Sequence, residues 1–368
     1  MFMPLVPLLG ICLYFLTGSQ WSFAIPLMIS YVVIPALDWM IGSDTNNPPE
    51  EIVPQLEEDR YYRILTWVTV PQHFIILIIV AWFVGNEDLT IWSILALAFT
   101  AGIYSGLGIN TAHELGHKKT RLEQTLAKIA LAVPAYGHFC IEHNRGHHMY
   151  VAKPEDPASA RMGESIYRFG AREIPGAFKR GWIAEKDRLA ACGKNTWSVQ
   201  NGILQSYAIS LILQGSLIFA FGWIMIPFLA MHNFWAWFQL TSANYIEHYG
   251  LLREKDADGR FERCKPHHSW NANYIVSNIV LFQLERHSDH HAFPARRYQS
   301  LRNFDDIPEL PNGYFGMYWL AYIPWLWYRV MDKRLLALPH INGDLSKINI
   351  DPAAEKAIYA RYARQAVT

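Results

Sequence analysis

The sequence predicts an all-α integral membrane protein. Six transmembrane helices carry a helical cap on one face, and the cap holds a histidine-rich metal site. Three observations predict it. Apolar runs close to the ~20 residues that cross a bilayer recur along the chain. Basic residues are confined to particular intervals between those runs, and nine histidines gather in four clusters beside them. Hydrophobic residues make up 51% of the 368, and 14 Trp, 19 Tyr and 19 Phe suit bilayer interfaces. The long low-charge stretches are therefore read as spans, not as the cores of two or three soluble domains.

In order, the spans fall at approximately 2–17, 20–41, 64–84, 89–110, 203–222 and 224–245. The first is short. It reads as one arm of a helical hairpin turned at Thr17-Gly18-Ser19-Gln20 rather than as a signal peptide. No basic segment precedes it, and no small-residue cleavage site separates it from the second run. Six spans put both termini on one side, so the short connections at 18–19, 85–88 and 222–223 face the other. Those connections contain none of the 32 Lys and Arg, which all lie in 60–63, 118–194 or from 253 onward. The positive-inside rule makes the basic face cytoplasmic, in a bacterial-type inner membrane. The chain then forms a single membrane domain over 1–368, with its cap built from 111–202 and 246–368. Segment 42–63, with Asn46-Asn47-Pro48-Pro49-Glu50, reads as a surface loop. Residues 314–330 are apolar but interrupted by Pro324, and read as an interfacial helix, because a seventh span would export the basic C-terminal segment.

The histidine clusters all fall on the basic face. They are His113-Glu114-Leu115-Gly116-His117, His143-Asn144-Arg145-Gly146-His147-His148, the single His248, and His287-Ser288-Asp289-His290-His291. Imidazole suits iron, zinc, copper and nickel. Nine clustered ligands exceed what one ion holds and point to two. His113 and His117 share a helix face. His147 and His148 point about 100° apart on a regular helix, so each is expected to reach a different ion. His113-Glu114-x-x-His117 alone also matches a zinc protease signature, but such a site leaves seven histidines unexplained. The isolated His73, His138, His232, His267, His268 and His340 read as satisfied or solvated residues, with His73 notable for lying inside a span. Glu114, Glu142, Glu247, Glu285, Asp289, Asn110, Asn144 and Asn244 lie near the clusters. The acids read equally as solvated charges or as parts of the site, where accepting from the distal imidazole N–H is favoured over ligating metal; the three asparagines are similar candidates for the supporting role. Trp39, Phe74, Tyr104 and Phe238 read as bundle core or lipid-facing residues, and the lining of a substrate pocket is not legible.

H-x3-H, H-x3-HH and H-x2-HH around four spans resemble the membrane di-iron desaturase and hydroxylase superfamily. The longer strings Asn110-Thr-Ala-His-Glu-Leu-Gly-His-Lys118, Glu142-His-Asn-Arg-Gly-His-His148, Asn244-Tyr-Ile-Glu-His-Tyr-Gly-Leu251 and Leu284-Glu-Arg-His-Ser-Asp-His-His291 are similar to the alkane 1-monooxygenases. The likeness runs from Asn46-Asn-Pro-Pro-Glu-Glu51 to Gly343-Asp-Leu-Ser-Lys-Ile348. The resemblance implies two non-haem Fe ions held by His113, His117, His143, His147, His148, His248, His287, His290 and His291. It implies O2 as co-substrate and terminal hydroxylation of a medium-chain n-alkane to a 1-alkanol. It also implies electrons from rubredoxin, reduced by an NADH-dependent rubredoxin reductase. Xylene-type methyl hydroxylation and fatty-acyl desaturation are the rivals on the same scaffold; a membrane metal transporter is a rival of another class, disfavoured by the few ionisable residues in the spans.

The remaining composition narrows the partners. The formal net charge is zero, so no nucleic acid partner is implied. Cys12, Cys140, Cys192 and Cys264 form no Cys-x-x-Cys pair, which argues against an iron–sulfur centre, a zinc ribbon or a disulfide framework in these residues. A rubredoxin is thus a separate protein or a fused domain outside them.

Overall fold

The computed structural model describes residues 3–362. Phe2, at the start of the first expected span, and residues 363–368, at the end of the expected cap, lie outside the described residues. The described chain is helical throughout, and only isolated bridges such as Ser43–Tyr274 and Asn271–Glu309 pin the loops of the cap.

Two apolar hairpins begin the bundle. Helix α1 (Val6–Thr17) stops at Gly18, and α2 (Gln20–Ile41) returns with a π turn at Ile29–Val33. Helix α3 (Arg60–Asn86) starts at Asp59, whose carboxylate accepts from the Tyr61 amide at 2.8 Å. Helix α4 (Ile91–Gly116) starts at Thr90, which caps Ser93. The cap's first half holds α5 (Arg121–Ala132), an irregular helix α6 (139–150) and α7 (Ile166–Ala191). The chain re-enters the bundle as α8 (Gly202–Phe221), capped by Asn201, and α9 (Met225–His248). The second half of the cap contains α10 (Ile275–Val280), α11 (His287–Ala292), α12 (Tyr314–Ala321), α13 (Pro324–Leu336) and α14 (Glu355–Tyr362).

Four helices, α2, α3, α4 and α8, are long and apolar enough to cross a membrane. The other two expected spans differ for physical reasons. Helix α1 has 12 residues, short of a bilayer. Helix α9 has 24 but buries His232, Asn233, Gln239, Asn244, Glu247 and His248, so its polarity lowers its likeness to a span. These polar groups are largely paired: His232 meets Ser105 at 2.8 Å and Asn233 at 2.9 Å. Helix α9 lies along α4 with close backbone approach. A Cβ on Gly102 would come within 2.9 Å of Trp235 Cβ, and one on Gly106 within 2.8 Å of Gln239 Cβ.

The 42–63 segment is more ordered than a surface loop. It contains a short helix, Val53–Glu58, and folds over the last histidine cluster. Arg286 donates to the carbonyls of Asp44 and Asn46 at 3.0 Å each, and Arg302 to that of Pro48 at 3.2 Å. Residues 314–330 form α12 and most of α13, with the chain breaking before Pro324; neither helix is long enough to span. Trp39 is exposed, Tyr104 and Phe238 are buried in the bundle, and Phe74 is half-buried.

Candidate metal centre

The nine histidines come together at the cap end of α4 and α9. Helix α4 continues unbroken past the expected span end at 110, so His113 rides on its last turn and His117 caps it. His248 is the last residue of α9, and His287, His290 and His291 lie on α11. The second cluster sits on a π turn, His143–His147, inside α6. A residue added to the turn brings i and i+5 into register. His143 therefore faces His148, not His147, with Nε2 atoms 3.0 Å apart. Gly146 permits the turn, because a Cβ there would collide with the Arg180 guanidinium.

Two groups result. His113, His117, His143, His148 and His290 converge in one, and His147, His248, His287 and His291 in the other; within each, one ligand atom per residue lies within 4.8 Å of every other. The adjacent pairs His147/His148 and His290/His291 are each split between the groups. The groups adjoin, with the His148 and His291 rings 4.5 Å apart.

The nitrogens fit a metal better than they fit each other. Nε2 separations are 2.9 Å for His113–His290, 3.1 Å for His148–His290, 3.2 Å for His287–His248 and 2.9 Å for His291–His287. Two nitrogens at about 2.1 Å from one ion stand about 3.0 Å apart at a right angle and about 3.4 Å apart at the tetrahedral angle. The observed values fall in and just below this range, so each pair is spaced to share one ion. His117 and His147 also keep a buried Nε2 with no hydrogen-bond partner. Burial first, and neighbouring imidazoles second, hold His143, His148, His287, His290 and His291 well below the usual histidine range, so these rings are neutral and able to ligate.

The nearby acids and amides have diverse roles. Glu247 Oε2 lies 3.4 Å from His287 Nε2. Glu142 pairs with Arg180, and burial pushes its carboxyl up to about 8 against that pairing. Glu114 is engaged by Lys118 at 2.9 Å and by the Tyr298 amide, so it is not free to act as a protease base. Glu285 accepts from the amides of Tyr274 (2.9 Å) and Tyr314 (2.8 Å), and Asp289 holds Arg296 at 2.7 Å. Asn110 donates to Leu281 O, Asn144 to Gly116 O and Asn244 to Glu173. Each ties an element of the site to its neighbour.

Sequence reasoning missed two supports. Asp156 accepts from His147 Nδ1 at 2.9 Å, with both side chains buried. Burial opposes its charge, but His147, Arg180 and the Ser159 hydroxyl together hold its carboxyl well below the usual range. This bond places the proton on Nδ1 and leaves the Nε2 lone pair for an ion. The His268 carbonyl stands 3.4 Å from His248 Nδ1. Nothing in the Glu155-Asp156-Pro157 string separates it from an ordinary turn; its place nine residues after His147 was the available signal.

The isolated histidines lie outside the two groups. His73 is buried in α3 with Nε2 unpartnered, His138 bonds Tyr207 at 3.0 Å, and His267 packs between His268 and His340. Glu262, His267 and His268 form a smaller cluster, but His268 Nδ1 accepts from the Lys265 amide and Lys265 occupies Glu262. With Nδ1 accepting, the His268 proton sits on Nε2 and that ring has no lone pair to offer.

A helical bundle with nine converging histidines at one end defines a membrane-type metalloenzyme. Residues 90–330 match the fatty acid desaturase family model. The chain is 52% identical to an alkane 1-monooxygenase of Alcanivorax borkumensis over 95% of this chain and 86% of the relative. It is 55% identical to one of Pseudomonas putida over 95% and 87%. A xylene/toluene monooxygenase hydroxylase component of Pseudomonas putida is 27% identical over 65% and 63%. The chain belongs to the alkane 1-monooxygenase family.

Proposed function

We propose that this protein hydroxylates the terminal carbon of medium-chain n-alkanes with O2, at two non-haem irons held by the nine histidines. The observation that carries the reading is the split of those histidines into two converging groups. The 52% and 55% identity to alkane 1-monooxygenases supports the substrate class. Bound iron would supply the oxygen activation that an unactivated C–H bond requires and that no side-chain acid or base provides.

The residues do the rest. His113, His117, His143, His148 and His290 would hold one ion, and His147, His248, His287 and His291 the other. Asp156 fixes the His147 tautomer. A small opening of about 30 Å³ lies beside α4 and α9, walled by Leu107, Asn110, Gln239, Leu284, Phe315 and Tyr318, and it would have to widen to admit an alkyl chain. An alkane offers no polar handle, so its end is selected by shape, with each buried methylene contributing about 0.8 kcal/mol. Were α1, with Met3–Leu5 before it, and α9 to cross along with α2, α3, α4 and α8, the six spans would set the cap, both termini and the site on the cytoplasmic side of the inner membrane as a single domain. Electrons would come from rubredoxin and its NADH-dependent reductase, since the four cysteines are free and scattered.

The test is a product assay in bilayer nanodiscs. Iron-loaded protein with rubredoxin, reductase, NADH and octane is expected to yield 1-octanol with about two irons per chain. Conversion of p-xylene but not octane would favour the methyl hydroxylase reading, to which the 27% relative lends weight. Conversion of only an acyl lipid would favour a desaturase.

A further inference from the structure

His248 is followed directly by Tyr249, and consecutive Cα atoms are 3.8 Å apart. The Tyr249 ring is fully buried and its hydroxyl donates to Asp332 Oδ1 at 2.8 Å. The other oxygen of the same carboxylate accepts from the Tyr362 hydroxyl at 3.0 Å. Tyr362 lies on α14 and is only half-buried. Trp327, fully buried, stands between two tyrosines, its ring 5.3 Å from Tyr249 and 5.0 Å from Tyr245. Asp332 is itself buried, with the Arg361 guanidinium near enough to pull its carboxyl down but not in an ion pair with it among the described residues. Burying a carboxylate with no direct ion pair is costly, and packing alone would be served by an apolar residue. Two phenols hydrogen-bonded to one carboxylate, starting beside a metal-site histidine and ending near the surface, suit coupled movement of electrons and protons.

We propose that Tyr249, Asp332 and Tyr362, with Trp327 packed on Tyr249, form a relay that carries oxidising equivalents from the metal centre to the surface when oxygen is activated without alkane in place; this rests on the metal-centre reading above. Tyr249 gives one electron to the oxygen-activated centre and its phenolic proton to Asp332 Oδ1, leaving a neutral tyrosyl radical. Tyr362 then gives one electron to Tyr249, which takes its proton back from Oδ1 while the Tyr362 proton passes to Oδ2. A soluble thiol returns one electron to Tyr362, which recovers its proton from Asp332. The thiol's own proton goes to solvent and its sulfur is oxidised to half a disulfide. Bound iron with O2 would supply the oxidant, each electron delivered being matched by one proton from solvent, so two passes would discharge two oxidising equivalents. Burial pushes the Asp332 carboxyl up to about 6 against the pull of the Tyr249 and Tyr362 hydroxyls and of Arg361, so near pH 7 it is mainly an ionised acceptor.

The experiment uses iron-loaded full-length protein in nanodiscs, reduced and mixed with O2 without alkane, then freeze-quenched for electron paramagnetic resonance. A tyrosyl signal is expected, reduced at least tenfold in Tyr249→Phe and several-fold by added octane. Tyr362→Phe, on α14 at the outer end of the relay, should leave the signal but slow its decay several-fold. Peptide mass spectrometry after many uncoupled turnovers should find Trp327 oxidised more in Tyr362→Phe than in wild type. The proposal is overturned if iron is bound and O2 consumed but no tyrosyl signal forms, or if wild type and Tyr249→Phe give the same signal. A protein that binds no iron or consumes no O2 would overturn the metal-centre reading first, and the relay with it.

Discussion

Asp156 has the most direct hold on a metal-site imidazole of any acid around the nine histidines. Its bond to His147 fixes which nitrogen carries the proton, and Arg180 and Ser159 fix Asp156 in turn. Asp156→Asn can present an NH2 group to His147 Nδ1 and invert the tautomer. Loss of such a partner typically costs 10–100-fold in metal affinity or activity. Iron per chain and alkane turnover are therefore both expected to fall by about that range, with the unfolding temperature changing less. Glu285 provides the contrast, since its two bonds go to backbone amides that start other segments. Glu285→Gln leaves one amide without its acceptor and should cost about 1–3 kcal/mol of stability. Denaturation of the chelator-treated variant checks this; an unchanged midpoint with lost iron would place Glu285 in the metal's surroundings instead.

At the level of elements, the π turn in α6 decides how the histidines are shared. On a regular helix the i, i+4 spacing of His143 and His147 would put both on one face, but the turn sends the two residues to different groups. A regular helix would pair His143 with His147 and leave His148 outside. Gly146→Ala should therefore strain this turn against Arg180, at about the 1–3 kcal/mol of an overpacked site. Iron is expected to drop below two per chain; full occupancy with an unchanged unfolding temperature would show that the turn tolerates a side chain. The same comparison shows what the sequence could carry. Histidine identity and spacing, the α3, α4 and α8 spans, and the different reach of His147 and His148 were legible, because each follows from local composition or helix geometry. The sharing of ligands was not, since a π turn has no compositional mark. Nor were Asp156, Arg180 and the clasp of 42–63 over Arg286, which depend on contacts between segments far apart in the chain. Phe282 and Gln283, both left-handed at φ 53° and 57°, turn the chain into the last cluster with no glycine to announce it.

Across the whole molecule, nine imidazoles are gathered at one end of an apolar bundle, and this sets how the protein responds to acid. His143, His148, His287, His290 and His291 are all held well below the usual histidine range, first by burial and then by each other. In the unfolded chain each would titrate near 6.5. Above that pH the rings are neutral in both states and burial of the cluster carries no proton-linked penalty. Below it the unfolded chain takes up protons that the folded chain refuses, so stability falls as pH falls, by up to about 1.4 kcal/mol per pH unit for each such ring. The loss begins near pH 6.5 and continues until the depressed folded values are reached. Bound metal occupies the same lone pairs and makes protonation compete with ligation. Chelator-treated protein in nanodiscs is therefore expected to show a nearly constant unfolding temperature from pH 8 to 7 and a steep decline from 6.5 to 5. Iron-loaded protein should hold its unfolding temperature to lower pH and then lose iron and stability together. A metal-free unfolding temperature that stays flat down to pH 5 would mean that the histidines are hydrated, not packed, when no ion holds them.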